Sequence, residues 1–449
     1  MKHLFSRLSP AQKIILSFLL VIFCGSLLLS LPWVQTASSQ AGYLDHLFTA
    51  VSMVCVTGLF TRSVVDTYNV WGQLLCMLLI QIGGLGILTF IGFFTMESRK
   101  KLSLKDRRIL RDSFSYGHNR TLGQFVRSIF ITTFTIEGLG ALLLMIRFIP
   151  KFGLRKGIFN SIFLAVSAFC NAGFDNFGND SLLGLQTDVL VNITLALLII
   201  TGGLGFMVWF DLATKLGGKQ KGLHFHTKVV LLLTAGLLVI GTVASLWTEY
   251  NNPGTIGNLS FGDKLLVSFF QTVSMRTAGF ASIDYTAARP VTLFIYLLQM
   301  FLGGAPGGTA GGLKITTFLV LLLFARKEIL GLHHTNIGRR TLAPQLVQKA
   351  FGVTVIFQLT FLLGLLALGL VTDSSHRFIY LIFETVSALA TVGVTANITT
   401  SLNTAGMIVI MLLMFIGRVG PLTLMVSLNH YQPKNAATLH YSKADIMIG

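Results

Sequence analysis

Four times along the chain the pattern Phe-x-x-Val-Ser is followed, five or six residues after the serine, by a glycine. The segments are FTAVSMVCVTGLFT, FLAVSAFCNAGFDN, FQTVSMRTAGFAS and FETVSALATVGVTAN, and their central glycines, Gly58, Gly173, Gly279 and Gly393, lie 115, 106 and 114 residues apart. Near-equal spacing of a shared motif marks an internally repeated architecture. A second register agrees with the first. Some 24 to 29 residues after each glycine comes a further cluster: QIGGLG from Gln81, ITGGLG from Ile200, FLGGAPGGTAGG from Phe301 and FIGRVG from Phe415.

The repeats are set in apolar sequence: 53% of residues are hydrophobic and only 11% charged, with a mean hydropathy of +0.73, which excludes a soluble fold. Runs at 14–32, 70–96, 228–248 and 350–371 are long enough to cross a hydrocarbon core, which takes roughly 20 residues. The first follows Lys2, Arg7 and Lys13 like a signal peptide, but LPWVQT after it offers no small-x-small cleavage site, so it reads as a retained helix. Between span and glycine lie half-length helices near 43–54, 157–170, 262–274 and 376–390, too short to cross and of re-entrant length. The expected fold is an all-α integral membrane protein. Four parallel repeats of outer helix, re-entrant pore helix, filter loop and inner helix surround a central pore, with eight transmembrane helices in total. The repeats run 1–110, 111–222, 223–340 and 341–449, the first and last carrying the tails.

The net charge of +17 follows this topology. Lys and Arg gather in the N-terminus, in 97–127, 211–228 and 326–349, and in the C-terminal tail, all on one side if spans alternate. The positive-inside rule makes that side the cytoplasm, with both termini there, in a plasma-membrane protein. Acids such as Asp45, Asp175, Asp180, Asp188, Glu249, Asp284 and Asp373 lie opposite. The basic excess is topological and does not indicate nucleic-acid binding. Cys24, Cys55, Cys76 and Cys170 have no paired spacing and give neither disulfide framework nor metal site. His224, His226, His333 and His334 fall in basic loops and read as surface residues.

Glycine in the four loops has a chemical reason. A loop whose successive carbonyls face one axis needs φ values that Gly reaches freely. Rings of such carbonyls replace the hydration shell of an alkali cation, and the C-terminal ends of half-helices aimed at the ring add negative potential. In the second register, Gly83, Gly84, Gly202 and Gly203 fit this role or simple close packing of membrane helices equally well.

These motifs (VTGL, NAGF, RTAGF, TVGV, the long Gly-rich stretch and a late Arg) resemble the membrane subunit of the Ktr/Trk/HKT superfamily of cation transporters, nearest the bacterial Ktr type, over essentially the whole chain. The resemblance implies four fused channel-like units whose filter is lined by Val56, Thr57 and Gly58; Asn171, Ala172 and Gly173; Thr277, Ala278 and Gly279; and Thr391, Val392 and Gly393. Each loop keeps one glycine and no Tyr of the TVGYG channel filter, so fewer stacked ion sites should follow. The third loop is one residue shorter and places Arg276 beside the filter. Gly58, where a Ser accompanies sodium transport in plant relatives, favours potassium.

The stretch containing Gly303, Gly304, Pro306, Gly307, Gly308, Gly311 and Gly312 cannot be a stable helix, each Gly costing about 1 kcal/mol and Pro about 3. By the resemblance it forms an intramembrane gate loop under the filter. Lys314 follows, at a depth where its amine can snorkel. Arg418, inside the last apolar span, costs on the order of 2.5–3.5 kcal/mol to insert and is a functional residue by default. The family's matching Arg faces the pore as an electrostatic barrier.

Potassium uptake, channel-like or by symport, is therefore the expected function, with potassium as transported ion and sodium possibly coupled. The chain has neither a GxxxxGK[ST] nor a GxGxxG fingerprint. The resemblance implies a homodimer and a cytosolic nucleotide-binding regulatory ring (KtrA-like) docked on the basic face. A secondary transporter of another cation or solute, sodium-selective or ion-coupled, predicts inverted repeats, whereas these run in parallel. A membrane enzyme needs an intramembrane cluster of His, Asp or Glu, and apart from Glu137 and Glu384 the spans are bare.

Overall fold

The computed structural model describes residues 10–86, 122–178, 181–218, 220–372 and 377–420. Most of the basic stretch 97–127, the C-terminal tail, Lys2, Arg7, Asp180 and Asp373 lie outside the described residues. Among the described residues the chain is almost wholly helical, with one two-residue hairpin.

Among the described residues four single helices are long and apolar enough to cross a membrane: α1 (Pro10–Leu29), α5 (Leu122–Phe152), α9 (Phe225–Glu249) and α13 (Pro344–Val371). Between 17% and 39% of the residues in these spans are buried, so they form the perimeter. Leu20, Phe23, Leu142, Ile240 and Leu363 stand exposed along them, as expected of faces solvated by lipid.

Each is followed by a shorter helix that is the core: α2 (Tyr43–Val54), α6 (Leu154–Phe169), α10 (Phe261–Ser274) and α14 (Phe378–Leu389). The motif phenylalanines Phe48, Phe163, Phe270 and Phe383 are buried, and so is almost every residue after them, because a helix apolar on all sides has no solvent face. The half-helices expected from the sequence match within three residues. The largest difference is at α6, which starts at Leu154 because only Gly153, at φ +80°, separates it from α5.

After the short helices come further apolar helices: α4 (Val70–Leu85, after the one-turn α3, Val64–Thr67), α7 (Val189–Gly203), α11 (Pro290–Phe301) and α15 (Thr404–Val419). Three begin on side-chain caps that satisfy otherwise orphaned amides: Asn69 accepts from Trp71 and Gly72, Asp188 from Val191 and Asn403 from Gly406. None reaches a full span, since each stops in the second glycine cluster. Gly86, Gly205 and Gly420 sit at φ +83°, +88° and +90°, which halts a helix. Beyond Gly205 the chain bends by 98° into α8 (Phe206–Leu216). Beyond α11 it leaves helical geometry until α12 (Ile315–Ile329). The hairpin β1 (Asn336–Ile337) and β2 (Arg340–Thr341) joins α12 to α13.

The second-register glycines do allow close packing. A Cβ on Gly83, Gly202 or Gly417 would collide with the carbonyl oxygen of Val54, Phe169 or Leu389, the last turns of α2, α6 and α14, and one on Gly84 would stand 2.5 Å from Cys170 Sγ. Gly138 on α5 meets nothing within 4 Å. Gly202→Ala should therefore destabilise the protein by about 1–3 kcal/mol, read as a lower Tm in detergent. Gly138→Ala should hold or raise it. Equal Tm for both variants would refute the packing role.

Candidate ion pathway

Each short helix runs directly into one of the four glycine loops, and the loops share one backbone. A non-glycine residue takes a left-handed conformation (Val56 φ 55°, Asn171 57°, Thr277 69°, Thr391 51°), one residue follows, and then comes the glycine, again at positive φ (Gly58 106°, Gly173 70°, Gly279 84°, Gly393 97°). The middle amide turns back onto the helix: Thr57, Ala172 and Val392 donate to the carbonyls of Ser52, Ser167 and Ser387 at 2.8 Å, and Ala278 to Ser274 at 2.9 Å. Since N–H and C=O of a trans peptide point in opposite directions, the carbonyls of Val56, Asn171, Thr277 and Thr391 face away from the helices. The missing residue of the third loop is absorbed in this turn, an i→i−4 bond in place of i→i−5, so Thr277 and Gly279 keep register.

The loops close into a ring. A Cβ on Gly58 would stand 2.8 Å from the carbonyl oxygen of Ala172; one on Gly173, 2.8 Å from that of Ala278; one on Gly279, 2.6 Å from that of Val392; and one on Gly393 would collide with that of Thr57. Each glycine thus faces the middle residue of the next loop in chain order, and the fourth faces the first. The same Gly58 Cβ would lie 3.2 Å from Gly173 Cα and 3.3 Å from Gly393 Cα, so any side chain here enters the space the loops enclose. The predicted filter residues are brought together. Buried Thr57 Oγ1 and Thr391 Oγ1 have no hydrogen-bond partner among the described residues.

The sequence used the motif serines only as markers. In the structure they anchor the loops. Ser52 Oγ accepts from Gly58 N (3.2 Å), Ser167 Oγ from Phe174 N (2.9 Å) and Ser387 Oγ from Gly393 N (3.0 Å), while Ser274 Oγ donates to the Phe280 carbonyl (2.5 Å). A second layer of ties holds the far side of each loop: Thr61 to Asp45 (2.7 Å), Ser181 to Asp175 (2.7 Å), Gln271 to Ser282 (2.8 Å), and Thr395 to Glu384 (2.6 Å), which also accepts from Thr399. These partners lie 6 to 16 residues apart, and no local pattern signals them.

Residues 302–314 are a loop, not a kinked helix. Its neck is closed by Gly303 N to the Leu313 carbonyl (3.0 Å) and Leu313 N to that of Phe301 (3.1 Å). Its body docks on the break between α7 and α8: Ala305 N to the Gly203 carbonyl (2.9 Å), Thr309 N to Gly202 (3.2 Å) and Phe206 N to Gly307 (3.0 Å). It reaches the glycine ring, with Thr309 Oγ1 on the Phe169 carbonyl (3.1 Å) and Gly311 N on Thr277 Oγ1 (3.1 Å). A Cβ on Gly311 would stand 2.7 Å from the Ala390 carbonyl oxygen. The loop lies directly against one side of the ring.

Arg418 joins three elements. One guanidinium nitrogen donates to the Thr309 carbonyl at 2.5 Å, and another to Gly83 at 2.5 Å and Gly84 at 3.3 Å. Carbonyls, not an acid, satisfy it. Lys314 departs from the sequence expectation: its amine does not snorkel but folds back onto the loop carbonyls of Ala310 (2.6 Å) and Gly311 (3.5 Å). Arg276 is buried, and among the described residues its Nε has no partner. Glu137 is buried as well, receiving Gln81 Nε2 at 3.3 Å, while Cys170 donates to Gln81 Oε1 at 3.5 Å. The loop histidines are exposed as expected, although His224 Nδ1 contacts Asp211 at 2.5 Å.

A ring of carbonyls at the ends of four helices, beneath which a glycine loop is pinned by two cations, is the arrangement of a cation-conducting membrane protein. Residues 7–438 match the family described as TrkH, cation transport protein, and the chain belongs to that family. It is 39% identical over 446 residues to the Ktr system potassium uptake protein B of Bacillus subtilis, covering 99% of this chain and 97% of that protein. It is likewise 39% identical over 453 residues to the potassium/sodium uptake protein NtpJ of Enterococcus hirae, covering 100% and 99%. The crystal structure of the potassium transporter TrkH from Vibrio parahaemolyticus has the same fold, at a TM-score of 0.72 and 17% identity, covering 92% of this chain and 83% of that one.

Ser387→Ala removes the acceptor of the Gly393 amide in a buried loop and should cost about 1–3 kcal/mol, lowering the Tm in detergent. Ser38→Ala, at an exposed loop position, serves as the comparison and should change it little. Indistinguishable melting of the two would dismiss the serine as an anchor.

Proposed function

We propose that the chain is the pore subunit of a potassium uptake system of the cell membrane. In this reading the repeats 1–110, 111–222, 223–340 and 341–449 each contribute an outer helix, a re-entrant pore helix, a filter loop and an inner helix, eight spans in all, with both termini cytoplasmic. The observation that carries it is the closed order in which each ring glycine meets the next loop's carbonyl oxygen. Oxygens held in such a ring replace the water lost by an entering alkali cation. The printed names of the similar proteins, a potassium uptake protein and a potassium/sodium uptake protein, support the same cation. The second name favours sodium as a coupled or alternative ion.

Residues 303–312 act as the gate, with Arg418 as an electrostatic barrier and Lys314 as a second latch on the same loop. In this reading transport needs the loop to move, which its docking beside the ring on Thr277, Phe169 and Gly202 supports. A cytosolic nucleotide-binding ring on the basic face and a homodimer complete the assembly in this reading.

Potassium-starved cells expressing the chain should take up rubidium, and a comparison with and without sodium reads the coupling. No uptake from correctly inserted protein would overturn the proposal. Gly58→Ser and Gly279→Ser should reduce the preference for potassium over sodium, since the new side chain enters the ring. Unchanged preference in both would displace the filter assignment. At position 418, flux per assembled protein should rise from Lys through Gln to Ala, because a charge in a low-dielectric passage acts several-fold more strongly than in water. Identical flux in the three variants would exclude the barrier.

A further inference from the structure

Far from the ring, where α12 ends and α13 begins, lies a cavity of about 610 Å³. Its lining combines Phe324 on α12 and Val347 and Phe351 on α13 with Lys327, His333 and His334 beside the hairpin, and Lys327 Nζ stands 5.6 Å from the Phe324 ring centroid, so the apolar end is the one around Phe351. Phe351 is seven residues into α13, so the apolar end lies about 10 Å deeper than the hairpin at 1.5 Å per residue. None of the lining residues is acidic. The surrounding stretch adds Arg326, Arg339, Arg340 and Lys349 against the single acid Glu328. Lys327 pairs with Glu328 at 2.8 Å, and Glu328 is more than half exposed. Such surface pairs contribute little, and a stronger anion can replace the carboxylate.

We infer that this cavity binds an anionic glycerophospholipid, its phosphate held by Lys327, His333 and His334 and an acyl chain laid against Phe324, Val347 and Phe351. The polarity gradient runs in the direction a bilayer lipid requires: charge at the level of the loop and hydrocarbon along the helices. Both helices also expose leucines, among them Leu322 and Leu359, as faces in contact with lipid do. Basic pockets between spans on the cytoplasmic side suit anionic headgroups. A soluble protein partner would not reach the deep apolar end. The site is tied to the gate loop by one helix: α12 starts at Ile315, directly after Lys314, whose amine holds the carbonyls of Ala310 and Gly311. A lipid wedged against the far end of α12 thereby biases the loop. This last step rests on the pore reading, whereas the binding site does not.

The test uses the full-length protein equilibrated with phosphatidylglycerol and phosphatidylcholine vesicles, with retained lipid counted by native mass spectrometry. Phosphatidylglycerol should be retained about tenfold over phosphatidylcholine. The triple variant Lys327→Gln, His333→Gln, His334→Gln should lose that preference. Gly352→Phe should lose retained lipid of both kinds by filling the cavity, since Gly352 lines it and a Cβ there meets nothing within 4 Å. Equal retention of the two lipids by the unaltered protein, or unchanged retention in either variant, would overturn the site. A change in oligomeric mass with unchanged lipid would also overturn it, marking the face as a contact between copies. Retention is read without reference to transport, so failure of the pore reading leaves this test intact. Potassium flux that ignores phosphatidylglycerol in protein that binds it would overturn only the coupling to the loop.

Discussion

A peptide group at membrane depth must find its hydrogen bonds within the protein, and the whole architecture answers that constraint. Four loops leave helical geometry in the middle of the molecule. The middle amides turn back onto the short helices, which leaves the carbonyls before them facing away from those helices, and among the described residues no donor meets them. The ring therefore presents unsatisfied acceptors. A cation is the natural complement of that state, and the C-terminal ends of four helices deepen it. The loop at 302–314 meets the same constraint differently: its backbone is paired with the broken α7–α8 segment and with its own neck.

The cations follow the same logic. Isolated charges within a membrane are costly, yet Arg418 and Lys314 are not matched with carboxylates. Between them they bind the carbonyls of Thr309, Ala310 and Gly311, three consecutive residues of one loop, and Arg418 adds Gly83 and Gly84. Carbonyl pairing keeps the net positive charge in place, which an acid would cancel. A charge tolerated in an apolar interior without a carboxylate needs partners of this kind. Moving the loop removes partners from both side chains at once, so the state of the loop and the solvation of the two cations are coupled.

Glycine serves two ends that the sequence writes identically. At 58, 173, 279 and 393 it provides positive φ and keeps the enclosed space free of side chains. At 83, 202 and 417 it allows one helix to touch the last carbonyls of another. Sequence pattern left the second set undecided between these roles, and the structure gives Gly83 and Gly202, both helical, the packing role with a carbonyl that also accepts a hydrogen bond from another element. Gly83 packs on Val54 while its carbonyl receives Arg418, and Gly202 packs on Phe169 while its carbonyl receives Thr309 N.

The sequence by itself determined the short helices, the loops and the positions of Gly58, Gly173, Gly279, Gly393 and Arg418, because these depend on local properties: the length of an apolar run, glycine at a fixed offset, a charge where none is expected. It also determined that 303–312 could not be helical. Only the tertiary structure decided that the four loops close in chain order, that Ser52, Ser167, Ser274 and Ser387 hold them, and that Lys314 turns inward to Ala310. It likewise decided which carbonyls Arg418 binds, two of them more than 300 residues away. The reason is physical. A hydrogen bond depends on the distance and direction between two groups, and for groups on separate helices both are set by how those helices pack, which no local stretch of sequence records.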